Sequence, residues 1–285
     1  MNQKIEFDLE ILQDEILIHS MINFWPVIHR LLDVFHPKKI CEIGIEYGYL
    51  TEKIIEYSKI SDCRFIGVDT KPNPDFVRKH KGNGIAFFKG DSEKFFLRDS
   101  ESDICFIDGD HNYYTVAKEL NLYLFSKNKG DRFIIFVHDV CWPWAHRDLY
   151  YDPKRVPKEE IHEYSYSKGV TIDNDSVIDG GFRGEGNWAC AIKEGGEGNG
   201  VLTAINDLIA SDEFQELNLE FIIVPVIFGM GIIYPKSIFS DKNIKEEMNK
   251  IHFGLEVFSS LLATLERNRL KLYLKVIELQ DQLNS

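Results

Sequence analysis

Three short stretches carry side chains that could act together in chemistry: Asp108-Gly-Asp110-His111, His138-Asp139 and Glu42-x-Gly44-x-x-x-Gly48. Each closes an apolar run (Ile104-Cys-Phe-Ile107, Phe133-Ile-Ile-Phe-Val137 and Ile40-Cys41-x-Ile43), so each stands where a strand gives way to a turn. Carboxylates and imidazoles gathered at strand ends can take up a proton or hold a cation. His111 suits the work of a general base, because an unperturbed imidazole with a pKa near ~6.5 is largely neutral at cytosolic pH. Asp108 and Asp139 end adjacent strands, with His138 next to Asp139, so two carboxylates and an imidazole can converge on one point. That set leaves two alternatives open. Asp108 and Asp139, with His138 as a further ligand, can hold Mg²⁺ or another divalent cation, or the site is metal-free and His138 is a second base. A plainer alternative also stands, in which Asp108 or Asp110 caps the helix beginning near Tyr113 and His111 only bonds locally.

The glycine stretch is a different kind of site. A helical pattern (Leu50, Ile54, Ile55, Tyr57) starts directly after Gly48. The result is strand, tight turn and helix, in which the backbone can approach a ligand and the new helix offers it unpaired N–H groups. Glu42 departs from a dinucleotide turn, since a carboxylate there suits a cationic or hydroxyl-bearing ligand better than a pyrophosphate. S-adenosylmethionine fits that description. Asp69, closing Gly67-Val-Asp69, can accept both ribose hydroxyls. Asp91, in Lys89-Gly-Asp91-Ser92, can accept from the adenine amino group, although Ser92 followed by Glu93 also reads as a helix cap. Tyr47, Ser92 and Asp108 complete the candidate cofactor set.

To present these residues along one edge, the chain must alternate strand and helix. The pattern predicts strands at 39–43, 63–69, 85–88, 103–107 and 132–138, with helices at 48–58, 74–80 and 113–126 between them. The strands are nearly continuous apolar runs, as expected of a parallel sheet buried on both faces. Helix returns at 200–211, and the strands Leu219–Val226 and Gly229–Tyr234 are close enough to form an antiparallel hairpin. The expected fold is therefore α/β, a Rossmann-like doubly wound sheet of seven strands with a C-terminal hairpin. One or two helices over 8–36, bent near Pro26 and ended by Pro37, should precede it in an N-terminal segment 1–37. The main domain runs 38–235 and includes a lid over about 140–200, where periodicity is lost. Within the lid, Trp142, Trp144, His146, Arg147, Asp148, Tyr150 and Tyr151 are crowded together. Trp142, Arg147, Tyr150 and the later Arg183 are candidates for holding a sugar or sugar phosphate, while the same aromatics could simply pack the lid onto the sheet. In 236–285 a long helix carries Phe258, Leu262, Leu265, Leu272, Val276, Leu279 and Leu283 at heptad-like spacing, interrupted by Arg269. It either lies on its own domain or pairs with a second subunit in a homodimer or higher oligomer.

The totals narrow the partners. A formal net charge of -13 and a pI near 5.2 argue against nucleic acid, whose phosphates are met with Lys and Arg. Five scattered cysteines without a C-x-x-C pair fit a reduced, cytoplasmic protein. No apolar run approaches the ~20 residues of a membrane span. A small-molecule acceptor is the partner class that remains.

Glu42-x-Gly44-x-x-x-Gly48, Gly67-Val-Asp69, Phe106-Ile-Asp108-Gly-Asp-His111 and His138-Asp139 together resemble the class I S-adenosylmethionine-dependent methyltransferases. The nearer likeness is to the branch that O-methylates sugars in macrolide and surface-polysaccharide pathways. His138-Asp-Val-Cys-Trp-Pro-Trp-Ala-His-Arg-Asp-Leu-Tyr-Tyr-Asp-Pro153 and Ala191-Ile-Lys-Glu-Gly-Gly-x-x-x-Asn-Gly-Val-Leu-Thr-Ala-Ile205 look like a bacterial subset of it. The resemblance covers about residues 38–235. It implies methyl transfer to a hydroxyl of a sugar or nucleotide-linked sugar, with a histidine three residues after the strand-end aspartate as base, here His111. Metal-dependent relatives place acidic or amide ligands at both residues ending strand five, where this chain has His138-Asp139. Transfer to nitrogen or a phosphoryl oxygen, and a non-catalytic binding protein on the same fold, are the alternatives.

Overall fold

The computed structural model describes residues 19–126 and 130–284, so the helical stretch expected over 8–18 lies outside the described residues. A short 3-10 turn at Met21–Phe24 leads into α1 (Trp25–Phe35), where Pro26 sits in the first turn and needs no N–H. There follow β1 (Lys39–Ile43), α2 (Tyr49–Ser61), β2 (Arg64–Asp69), α3 (Pro74–His80), β3 (Ile85–Lys89) and a short α4 (Ser92–Phe96). β4 (Ile104–Ile107), α5 (Tyr113–Leu124) and β5 (Ile134–His138) complete the alternation. The lid holds five short strands, β6 (Leu149–Tyr150), β7 (Tyr164–Ser165), β8 (Lys168–Thr171), β9 (Asn174–Asp179) and β10 (Ala189–Ala191). The chain then runs through α6 (Val201–Ala210), α7 (Asp212–Glu216), β11 (Leu219–Val224), β12 (Met230–Pro235) and α8 (Lys242–Asn284).

Seven strands form one sheet in the order β11-β12-β5-β4-β1-β2-β3. β1 to β5 are parallel, and β12 runs antiparallel to both β5 and β11. This is the Rossmann-like doubly wound sheet with a closing hairpin that the sequence leads one to expect. Neighbouring residues of a strand point to opposite faces, and here both faces are covered. Ile40, Phe65, Phe106 and Phe136 pack with α1, α2 and the start of α8, whereas Cys41, Cys105, Ile107 and Val137 pack with α5 and α6. All five cysteines are free, and Cys41, Cys63, Cys105 and Cys190 are buried. The catalytic-looking strand ends of β1, β4 and β5 therefore lie side by side on a rigid edge.

The lid is fastened to that edge by buried polar groups. Asp148, 1% exposed, accepts hydrogen bonds from Tyr113 N–H and Gly200 N–H, both at 2.7 Å, and from the Tyr150 hydroxyl at 2.7 Å. It thereby ties the first residues of α5 and α6 to the lid. Arg147, equally buried, donates to the carbonyls of Ala191 and Asp175 at 2.6 Å. Asn199 accepts from Asp148 N–H and donates to the carbonyls of Lys193 and Gly195.

α8 spans 43 residues, roughly 65 Å at the helical rise. Its beginning is buried on α1 through Ile244 and Met248. Further along, Glu266 accepts from Phe228 N–H at 3.2 Å, and Arg183 of the lid is paired with Asp281. The helix thus lies along its own domain, while Val257, Leu261, Leu265, Leu272 and Val276 stay exposed. No helix among the described residues is long and apolar enough to cross a membrane.

Replacing Asp148 with Ala leaves two N–H groups and a hydroxyl without their acceptor, each worth about 1–3 kcal/mol when buried. Urea denaturation of Asp148→Ala should show a loss of about 3 kcal/mol or more. A loss under ~1 kcal/mol would mean that the lid is held by other contacts.

Candidate active site

The turn after β1 brings two backbone segments unusually close. Gly44 has φ +85°, and a Cβ built on it would stand 2.1 Å from the carbonyl oxygen of Asp108. Only glycine allows the β4–α5 loop to lie against this turn. Asp69, at the end of β2, accepts from the N–H groups of Ile45 and Glu46 through Oδ2 and from Lys71 N–H through Oδ1. It fixes the turn while facing the cleft. Glu42 is 2% exposed, and its Oε2 has no hydrogen-bond partner. Burial, aided by the nearby Asp108 and Asp69 charges and only partly offset by the neighbouring Thr51 hydroxyl, holds its carboxyl well above the usual carboxylate range. A neutral carboxyl there can donate as well as accept.

Glu42, Gly44, Tyr47, Gly48, Asp69, Ser92 and Asp108 line one continuous cleft along the ends of β4, β1, β2 and β3. These are seven of the eight residues proposed for the cofactor. Asp91 is the exception. Its carboxylate is held by Lys94 at 2.9 Å and by Arg155 of the lid at 2.7 Å, pairings that also lower its pKa, and it is not on the wall of this cleft.

A second cavity of 620 Å³ opens from the same edge and shares Tyr47, Asp108, His111 and Tyr151 with the cleft. Its volume is in the range of small-molecule sites. At the junction stand two crossed ion pairs. His111 Nδ1 lies 2.8 Å from Asp139 Oδ2, and His138 Nδ1 lies 3.1 Å from Asp108 Oδ1. His138 Nε2 is 3.0 Å from the carbonyl of Ile227. A carbonyl and a carboxylate only accept, so both nitrogens of His138 donate and the ring is an imidazolium. Burial alone would lower the pKa of either histidine. The aspartate charges and hydrogen bonds outweigh it and raise both to about 9, the chief partner being Asp139 for His111 and Asp108 for His138. Both histidines hold Asp139 below the usual carboxylate range against its burial.

The two histidines are therefore not equivalent. His138 has no nitrogen left to accept a proton or bind a metal. His111 keeps Nε2 toward the cavity, with only the Tyr151 hydroxyl nearby at 3.5 Å. Asp108, His111 and Asp139 each offer a ligand atom, all within 4.8 Å of one another, and Asp139 Oδ1 is buried without a partner. Two carboxylates and an imidazole fit a divalent cation. Of the expected metal set the structure brings Asp108 and Asp139 together with His111, while both nitrogens of His138 are engaged by Asp108 and the Ile227 carbonyl.

The acceptor-side expectations fare differently. Arg147 and Tyr150 are buried in the lid fastening, Trp142 donates to the Thr171 carbonyl at 3.4 Å, and Arg183 is bound to Asp281. None of the four lines the cleft or the second cavity. The chamber is walled instead by Trp144, Phe182, Trp188, Phe228 and Tyr273, with His19 stacked on Phe228 at 4.3 Å. Most of these come from segments far apart in sequence, so no local spacing announced them.

No family model matches this chain, and no curated protein matches its sequence. Among solved structures, an SAH-bound methyltransferase of Podospora anserina is similar over 81% of this chain and 82% of its own, at 16% identity and a TM-score of 0.45. An O-methyltransferase from Bacillus cereus in complex with SAH is similar over 76% and 83%, at 14% identity and a TM-score of 0.44. At those values the likenesses add nothing to the topology already described, and the chemistry rests on this chain's own residues.

Manganese titration followed by electron paramagnetic resonance checks the ligand set. Binding should be lost in His111→Gln and kept in His138→Gln. The reverse pattern would return His138 to the site and remove His111.

Proposed function

We propose that this chain is an S-adenosylmethionine-dependent methyltransferase that methylates a hydroxyl group of a small polar acceptor. One observation carries the reading. The glycine-turn cleft, with Glu42 and Asp69 in its wall, opens directly onto a second cavity, and His111, oriented by Asp139, stands at the opening.

S-adenosylmethionine, when bound, supplies a methyl group on a sulfonium, ready for in-line displacement. The chain then has to aim an acceptor hydroxyl and take its proton. Asp69, on the cleft wall, is assigned to the ribose hydroxyls in this reading, and Asp108 stands where the cleft meets the second cavity. Asp139 fixes His111 Nδ1 as a donor, which leaves Nε2 to receive the proton once the ring is neutral. The imidazolium that the aspartates favour loses that advantage when a positive sulfonium occupies the neighbouring cleft. A divalent cation on Asp108, His111 and Asp139 is the alternative way to acidify an acceptor hydroxyl at the same point.

The second cavity also limits the acceptor. Among the described residues no Lys or Arg lines it, whereas Glu46, Asp108 and Asp139 do. Such walls, whose imidazolium rings are already paired with aspartates, favour an uncharged sugar or another neutral hydroxyl compound over a nucleotide-linked sugar, whose phosphates would find no guanidinium or ammonium among the described residues. The same carboxylates and aromatic faces favour, as a second reading, a cationic amine methylated on nitrogen.

His111→Ala should lower turnover by about 10²- to 10⁴-fold in a methyl-transfer assay with labelled cofactor. Calorimetric binding of S-adenosylhomocysteine should change little. A near-normal rate in that variant would remove His111 from the mechanism, and absence of cofactor binding in the wild type would remove the reading itself.

A further inference from the structure

At the end of the cleft beyond Asp69, the expected adenine reader Asp91 is paired with Lys94 and Arg155 and stands off the cleft wall. Another carboxyl stands there. Glu119, on the face of α5 that also carries the buried Val116, Leu120 and Tyr123, is 2% exposed and lines the cleft beside Gly90, Ser92, Asp110 and Arg155. Ser92 bonds to its carboxyl group, but Oε2 has no partner. A buried carboxyl on an otherwise apolar helix face, with one oxygen unanswered, costs free energy unless a ligand completes it.

We propose that Glu119, as an undissociated carboxylic acid, recognises the adenine edge of the cofactor, its Oε2 hydroxyl donating to ring N1 and its carbonyl oxygen accepting from the 6-amino group. This rests on the cofactor reading above. Adenine offers one acceptor beside one donor along that edge, and a neutral carboxyl offers the complementary pair. A carboxylate would present only lone pairs to N1. Burial is the main reason the carboxyl stays neutral and moves its pKa to about 8. Asp110 adds to that effect, while Ser92 and the positive charges of His111 and Arg155 oppose it. On its own helix the nearest cation, Lys118, is engaged by Glu93 at 2.9 Å. Arg155 reaches in from the lid, 2.7 Å from Asp91 and 3.7 Å from Asp110, and closes this end of the cleft.

The test is calorimetric titration of the full chain with S-adenosylhomocysteine and, separately, with adenosine and purine riboside, which lacks the 6-amino group. Glu119→Gln keeps a donor beside an acceptor and should bind S-adenosylhomocysteine within about threefold of wild type. Glu119→Met keeps the volume and should bind about 10- to 100-fold more weakly. Wild type should prefer adenosine to purine riboside, and Glu119→Met should lose the preference. Wild-type affinity should also fall relative to Glu119→Gln as pH rises through about 8, because the bound form needs the proton. Equal affinity of Glu119→Met and wild type for S-adenosylhomocysteine, or an unchanged preference for adenosine in Glu119→Met, would overturn the proposal and leave the cofactor reading standing. A wild-type protein that does not bind S-adenosylhomocysteine would overturn both. Thermal melting of each variant separates lost recognition from lost fold, since the ligand preference is measured only on folded protein.

Discussion

The contact on which the site depends is that between the turn after β1 and the loop after β4. Any side chain at residue 44 would collide with the Asp108 carbonyl, so the two loops can touch only because that residue is glycine. The touch has two consequences. It sets the floor of the cofactor cleft at the level of Ile45 and Glu46, whose N–H groups are then met by Asp69. It also fixes where the backbone of Asp108 lies, and with it the start of the segment that carries His111. Cleft and chamber meet at Asp108 because one steric constraint positions both.

The crossed ion pairs extend that constraint to β5. Each histidine is bound to the aspartate of the other strand, His111 of the β4 loop to Asp139 and His138 of β5 to Asp108. Had each paired within its own segment, the two strand ends could shift independently. Crossed, they lock together, and Asp139 accepts a left-handed backbone conformation (φ 63°) to make its contact. Breaking either pair would leave a buried charge without its counter-charge, which is costly enough to keep the arrangement intact when ligands come and go. His138 thus acts as a brace, held by Asp108 on one side and the Ile227 carbonyl on the other.

The sheet and the cofactor wall were legible because their signals are local. Continuous apolar runs reveal strands buried on both faces, and a glycine turn followed at once by a helical pattern reveals the cleft. The lid was not legible, and the reason is physical. Its strands are two to six residues long and are ordered by single buried groups such as Asp148 and Arg147, so no period develops. Those same residues looked like ligand groups because an arginine and aromatics in a cluster are equally suited to binding and to fastening. Glu119 did leave a signal, a carboxylate on the face shared by Val116, Leu120 and Tyr123, but a periodicity argument treats one such residue as noise. Tyr273 lies on the long helix, and His19 at the start of the described chain, and they reach the chamber only through the fold.

Charge balance gives the two halves of the site a reason to communicate. Asp108 and Asp139 are matched by the imidazolium forms of His111 and His138, so the two pairs together are close to neutral. A cation in the adjoining cleft upsets that balance by one positive charge. The proton most easily given up is that of His111, because its Nε2 has no firm acceptor, whereas both protons of His138 are bonded to the protein. In the proposed reading, a cation in the cleft therefore lowers the pKa of His111 and favours the neutral ring, whose Nε2 faces the second cavity. On that reading, two ion pairs that look purely structural thereby couple the charge in the cleft to the protonation of His111.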